Sequence, residues 1–165
     1  MADELLIDRN SDKAGIYRQI LPQISALLDG EKNITANLGN TAAALKSAFN
    51  WLWVGFYLVE GEELVLGPFQ GPIACTRIAK GKGVCGAAWT RLESIVVPDV
   101  EQFPGHIACS SMSRSELVVP LYCPNGKFAG VLDVDSSEYR AFDEVDCKAL
   151  GQLADLLQHK VFAHV

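Results

Sequence analysis

Apolar residues recur at helical spacing near the N-terminus: Ile16, Ile20, Ile24, Leu27 and Leu28 predict a helix over residues 12–29. Pro22 falls inside it and is expected to kink it or split it in two, because proline removes a backbone donor. A second stripe, Ile34, Leu38, Ala42, Leu45 and Phe49, predicts a helix over 34–48, closed by Asn50. The texture then changes. WLWVGFYLVE (51–60) is aromatic and β-branched and reads as a strand. Gly61-Glu62 turns the chain, and ELVLGPF (63–69) returns as its hairpin partner. A short strand follows in CTRIAKGKG, then a helix of about two turns over CGAAWTRLE (85–93), then a strand over 94–100. Residues 101–114 are polar and read as a loop. SELVVPLYC and KFAGVLDVDS flank Pro124-Asn125-Gly126, a hairpin signal with Asn-Gly at the turn. A final helix spans Phe142 to Val161, with Leu150, Leu153, Leu157 and Val161 on one stripe.

This order predicts an α+β domain: a central antiparallel sheet of about six strands, with N- and C-terminal helices packed on it. At 165 residues the chain is expected to form one domain. Strand alternation places Asp133 and Asp135 on one face, and Leu132 and Val134 on the other. Trp51 and Trp53 are expected on one face of the first strand, with Phe56 on the other. The connections over 67–85 and 98–115 are long, and long irregular loops in compact domains are often functional.

The formal net charge is −6, and no window is rich in Lys and Arg. A phosphate-backbone binder needs clustered cations, so nucleic acid is not an expected partner. No apolar run approaches the ~20 residues of a membrane helix, and the first residues lack a signal pattern. The chain reads as cytoplasmic.

Five cysteines, at 75, 85, 109, 123 and 147, are too odd a number for a disulfide framework in such a compartment. Three of them fall in GPIAC, GKGVCG and GHIAC. Packing, metal binding and redox work are all open to them. Free cysteines are commonly buried packing residues, and Cys123 and Cys147, on an apolar strand and a helix, fit that role. A zinc set of Cys75, Cys85, Cys109 and His106 lacks the tight CxxC pairs of most zinc sites. Redox work needs a partly exposed thiol near positive charge or a helix N-terminus. Cys85 at a predicted helix start and Cys109 in a polar loop meet that condition. Asp133 and Asp135, with Glu116 on the partner strand, read either as a solvated face or as an anionic pocket for an ammonium group.

The stretches WVGFYLVEGEELVLGPFQGPIAC, GKGVCG, DVEQFPGHIACSSMSRSELVVPL and GVLDVDS together resemble the free methionine-(R)-sulfoxide reductases, enzymes with a GAF fold. The resemblance covers roughly residues 34–162 and leaves residues 1–30 as an N-terminal helical extension. It implies a single GAF-like domain over 1–165. It also implies reduction of free methionine-(R)-sulfoxide to methionine without a cofactor or metal, with thioredoxin as the final reductant. By that resemblance Cys109 is the attacking thiolate, Cys75 the first choice for the resolving cysteine and Cys85 the second. Glu116, Asp133 and Asp135 correspond to the acidic pocket for the substrate ammonium and the sulfoxide oxygen. Trp53 corresponds to the aromatic residue against the ε-methyl group, and the backbone at Ile107 and Ala108 to a contact with the substrate carboxylate. The family also suggests a homodimer. Set against this are a GAF ligand sensor with inert cysteines, a thiol peroxidase, for which PGHIA before Cys109 is the wrong setting, and a zinc-bound structural domain.

Overall fold

Helix ends are set by side chains that replace missing backbone partners. In the computed structural model, which describes residues 4–165, Asp12 accepts from the Gly15 amide and opens α1 (Lys13–Leu27). Of the N-terminal extension, residues 1–3 lie outside the described residues. The helix runs through Pro22 undivided. Pro22 is exposed, so water can replace the donor it lacks, while Ile20 and Ile24 hold the buried side. Asn33 caps α2 (Ile34–Phe49), and Asn50 ends it with φ 51°. The expectation of two N-terminal helices therefore holds, without a break at proline.

Six strands follow: β1 (Trp53–Glu60), β2 (Glu63–Gln70), β3 (Arg77–Ala79), β4 (Ile95–Val97), β5 (Ser115–Tyr122) and β6 (Phe128–Ser136). They form one antiparallel sheet in the order β3-β2-β1-β6-β5-β4. The β5–β6 hairpin turns at Gly126, whose φ of 84° suits glycine. Helix α3 (Gly83–Arg91) lies between β3 and β4, and α4 (Glu144–Lys160) closes the chain, followed by a short 3-10 turn at its end.

The sheet has a packed core on each face. On one side α1, α2 and α4 bury Ile20, Ile24, Leu38, Leu45, Leu150 and Leu153 against Val54, Phe56, Leu117, Leu132 and Val134. On the other, α3 and the long loops cover Trp53, Tyr57, Ile78, Val84, Trp89, Val118 and Val131. Trp51 and Trp53 belong to different cores, contrary to the expectation of a shared face. Strand β1 begins only at Trp53, so period-two alternation does not reach back to Trp51. Trp51 instead stacks on Phe49 and meets Phe142 edge-on. Cys123 and Cys147 pack against the helical core, as expected.

A buried carboxylate ties the first helix to the last. Asp146 is fully buried and accepts from Tyr17 Oη and Lys13 Nζ, each at 2.6 Å. It also closes a capping box with Asp143 at the start of α4. Tyr17→Phe deletes one charge-assisted hydrogen bond and leaves Asp146 with Lys13. We expect a loss of about 1.5–3 kcal/mol in urea unfolding, and an unchanged midpoint would show that the α1–α4 tie is idle.

Candidate functional site

The sheet register assembles the site. Across three strands, Trp53 pairs with Asp135 and Asp135 with Glu116; one step along, Gly55 pairs with Asp133 and Asp133 with Val118. Directly paired residues present side chains to the same face. An indole and two carboxyls thus stand in one row, with a third carboxyl in the next. Glycine is required at 55: a Cβ there would lie 2.4 Å from Phe69 Cβ and 2.6 Å from the Trp53 ring. The ring lies over the bare backbone and stacks with Phe69 and Tyr57 at centroid distances of 5.2 and 5.9 Å.

The face is not solvated. Glu116 and Asp133 are each 6% exposed, and Asp135 is half-buried. Burial pushes all three carboxyl pKa values well above the ordinary range. Mutual repulsion adds to it: Asp135 acts on Glu116, Glu116 on Asp133, and Asp133 on Asp135. Ser113 offsets part of this by donating to Asp135 Oδ1 at 2.8 Å. His106 Nε2 stands 3.6 Å from Glu116 Oε2, and burial lowers the imidazole pKa, which favours its neutral form. Asp133 Oδ1 is buried without any hydrogen-bond partner. The Asp133 carboxyl shares hydrogen bonds with the Glu116 carboxyl and the Cys85 thiol, and an acceptor oxygen left open beside them is costly.

The cysteines divide into a bonded pair and a thiol. Cys75, between β2 and β3, and Cys109, in the loop before β5, form a disulfide with Cα atoms 5.5 Å apart. Their sulfurs are therefore not offered to a zinc ion, and the Cys75–Cys85–Cys109–His106 set is not assembled. Cys85 sits in the first turn of α3, which starts at Gly83 rather than at Cys85. Its expected activation by the helix start is reversed. Burial pushes its thiol well up, and Asp133, Glu116 and Asp135 push it further. Ligand atoms of Cys85, Glu116 and Asp133 lie within 4.8 Å of one another, close enough to share one small cation or one ammonium group.

These residues border a cavity of about 50 Å³. Of the sequence candidates, Trp53, Cys85, Ile107, Cys109, Glu116, Asp133 and Asp135 line it. Cys75 stands behind Cys109 through the disulfide, and Ala108 is exposed outside the lining. Tyr57, His106 and Ser113 also line it, and were not singled out for the pocket from sequence. Tyr57 had a signal, since it shares the period-two face of Trp53. His106 and Ser113 lie in a coil, where no periodicity assigns a direction.

The GAF-domain family matches residues 31–159. The free methionine-R-sulfoxide reductase of Escherichia coli is 44% identical, covering 92% of this chain and 92% of its own length. That of Saccharomyces cerevisiae is 42% identical, covering 94% and 91%. The X-ray structure of the free methionine-R-sulfoxide reductase of Neisseria meningitidis in complex with its substrate is 55% identical, covers 96% of each chain and superposes with a TM-score of 0.93. The chain therefore belongs to the GAF-domain family. Within it, the chain groups with the free methionine-R-sulfoxide reductases, in line with the resemblance read from its sequence.

The raised carboxyl pKa values fix the sign of a pH effect. Well below pH 3.8, the ordinary value of Asp, folded and unfolded chains are both protonated at these groups. As pH rises from there, the unfolded chain ionises first, so the ligand-free fold loses stability until the raised values are passed. Asp133→Asn removes one such group, and its melting temperature should fall less between pH 4 and 8 than that of the wild type. Parallel curves for the two proteins would contradict the buried-carboxyl assignment.

Proposed function

We propose that the chain reduces free L-methionine-(R)-sulfoxide to L-methionine in the cytoplasm, with thioredoxin as reductant. The observation that carries the reading is the orphaned Asp133 Oδ1 in a carboxyl trio beside the Cys75–Cys109 disulfide. An α-ammonium group offers three donors and a positive charge, which is what a buried acidic trio lacks. Methionine inside a peptide has no such group, so the free amino acid is favoured. In this reading the indole of Trp53 is the apolar wall for the ε-methyl group, and the backbone at Ile107 and Ala108 is the partner of the substrate carboxylate.

In this reading the Cys109 thiolate attacks the sulfoxide sulfur. A carboxyl kept protonated by burial gives its proton to the sulfoxide oxygen, which makes the S–O bond easier to break. The oxygen passes to Cys109 as a sulfenic acid, and methionine leaves with its sulfur reduced by two electrons. The Cys75 thiol then attacks the sulfenic sulfur, the disulfide forms and water departs. Thioredoxin restores both thiols by exchange and takes up the disulfide itself. Cys85, buried among acids and held protonated, is the weaker candidate for the resolving thiol. The GAF sensor alternative explains neither the disulfide at the cavity nor the similarity to the proteins named as reductases.

Cys109→Ser is expected to abolish turnover in a coupled thioredoxin assay, while Cys123→Ser and Cys147→Ser stay near wild type. Full activity of Cys109→Ser would sink the mechanism. Asp135→Asn should raise KM for the free sulfoxide about tenfold, the lower end of losing a charge-assisted bond. An unchanged KM with normal folding would remove the ammonium pocket.

A further inference from the structure

Cys75 lies in residues 71–76, a connection between β2 and β3 that is neither helix nor strand. Among the described residues, 71–75 make no main-chain to main-chain hydrogen bond; the Leu66 amide bonds to the Thr76 carbonyl only at the far end. Its outer side has little support, since Ile73 is 90% exposed. A coil without main-chain bonds depends on side chains for its place, and Ala74 and Cys75 pack against the core beneath it. Two side chains of β1 hold it from below. Trp53 Nε1 donates to the Pro72 carbonyl at 3.1 Å, and Tyr57 Oη donates to the Cys75 carbonyl at 2.8 Å. Gly71 lets the strap approach: its φ is 140°, and a Cβ there would lie 2.7 Å from both the Leu52 carbonyl oxygen and Trp53 Cδ1.

We propose that Tyr57 is a positioning residue for the second half of the reaction, its hydroxyl holding the Cys75 backbone so that the thiol stands within reach of the Cys109 sulfenic acid. The inference rests on the reductase reading above. Formation of methionine uses Cys109 and the pocket, whereas closure needs Cys75 brought to Cys109. In closure the Cys75 sulfur attacks the sulfenic sulfur, the S–S bond forms, the S–O bond breaks and water leaves. Strap freedom therefore slows only closure, because an unheld thiol must be found by search. Burial, followed by the charge of Asp133, pushes the Tyr57 phenol pKa upward, so the hydroxyl remains a donor at working pH.

Tyr57→Phe keeps the ring and removes only the hydroxyl. The reduced protein is mixed with free methionine-(R)-sulfoxide without thioredoxin, and methionine formation and loss of two thiols are timed separately. In a second arm Cys109 is converted to the sulfenic acid with hydrogen peroxide, so that no substrate occupies the pocket. We expect closure to slow about two- to tenfold relative to methionine formation, the range of one neutral hydrogen bond. The same slowing should appear after peroxide, with sulfenic acid accumulating for capture by a 1,3-dione. Trp53→Phe, which loses the bond to Pro72, should also close more slowly in the peroxide arm, and serves if Tyr57→Phe folds poorly. Closure of a folded Tyr57→Phe at the wild-type rate in the peroxide arm overturns the proposal; if Tyr57→Phe folds poorly, wild-type closure of Trp53→Phe overturns it. A wild-type chain that closes after peroxide but makes no methionine from the sulfoxide overturns the reductase reading alone.

Discussion

Three carboxyl groups, Glu116, Asp133 and Asp135, share one sheet face with little water to solvate them. An ionised carboxylate withdrawn from water costs several kcal/mol unless a cation or donors replace the solvent. Three such groups side by side cannot all be charged without a cation between them, because each repels its neighbour. Protons, or a cationic ligand, must supply what water does not. The orphaned oxygen of Asp133 is the most direct sign of that deficit. Both halves of the proposed chemistry depend on it: an ammonium group offsets part of the trio's charge, and a retained proton is available to the sulfoxide oxygen.

The rest of the fold keeps this arrangement in place. The strand register sets the trio, since Trp53, Asp135 and Glu116 are paired row members rather than loop residues. The opposite sheet face is packed by three helices, and Asp146 locks the first of them to the last. Rigid elements thus carry the charged groups, while the two cysteines of the disulfide sit on connections outside the sheet. This division suits redox work. The pocket must hold its geometry, whereas the sulfurs must pass between thiol, sulfenic acid and disulfide.

Much of this was legible in the chain. Period-two alternation placed Asp133 and Asp135 on one face, and the Asn-Gly turn set the hairpin that brings Glu116 opposite Asp135. Periodicity could not say whether that face met solvent or α3, because burial is decided by residues far away in sequence. It also misplaced Trp51, which precedes the strand and turns to the helical core. A place at a helix start marks Cys85 in the sequence as an activated thiol. The helix begins two residues earlier, and the acids that raise the thiol come from β5 and β6. The Cys75–Cys109 pairing was implied by resemblance rather than by spacing. His106 and Ser113 reach the carboxyls from a coil, where sequence gives no direction.

The most direct measurement offers three substrates separately, with thioredoxin, thioredoxin reductase and NADPH: free methionine-(R)-sulfoxide, the free S form, and a peptide carrying methionine sulfoxide. NADPH consumption with the free R form alone is the expected result, since only it presents both the ammonium group and the correct sulfur face to the acidic pocket. Equal turnover of the peptide would contradict recognition through the buried carboxyl trio. No turnover of any of the three would contradict the reductase assignment.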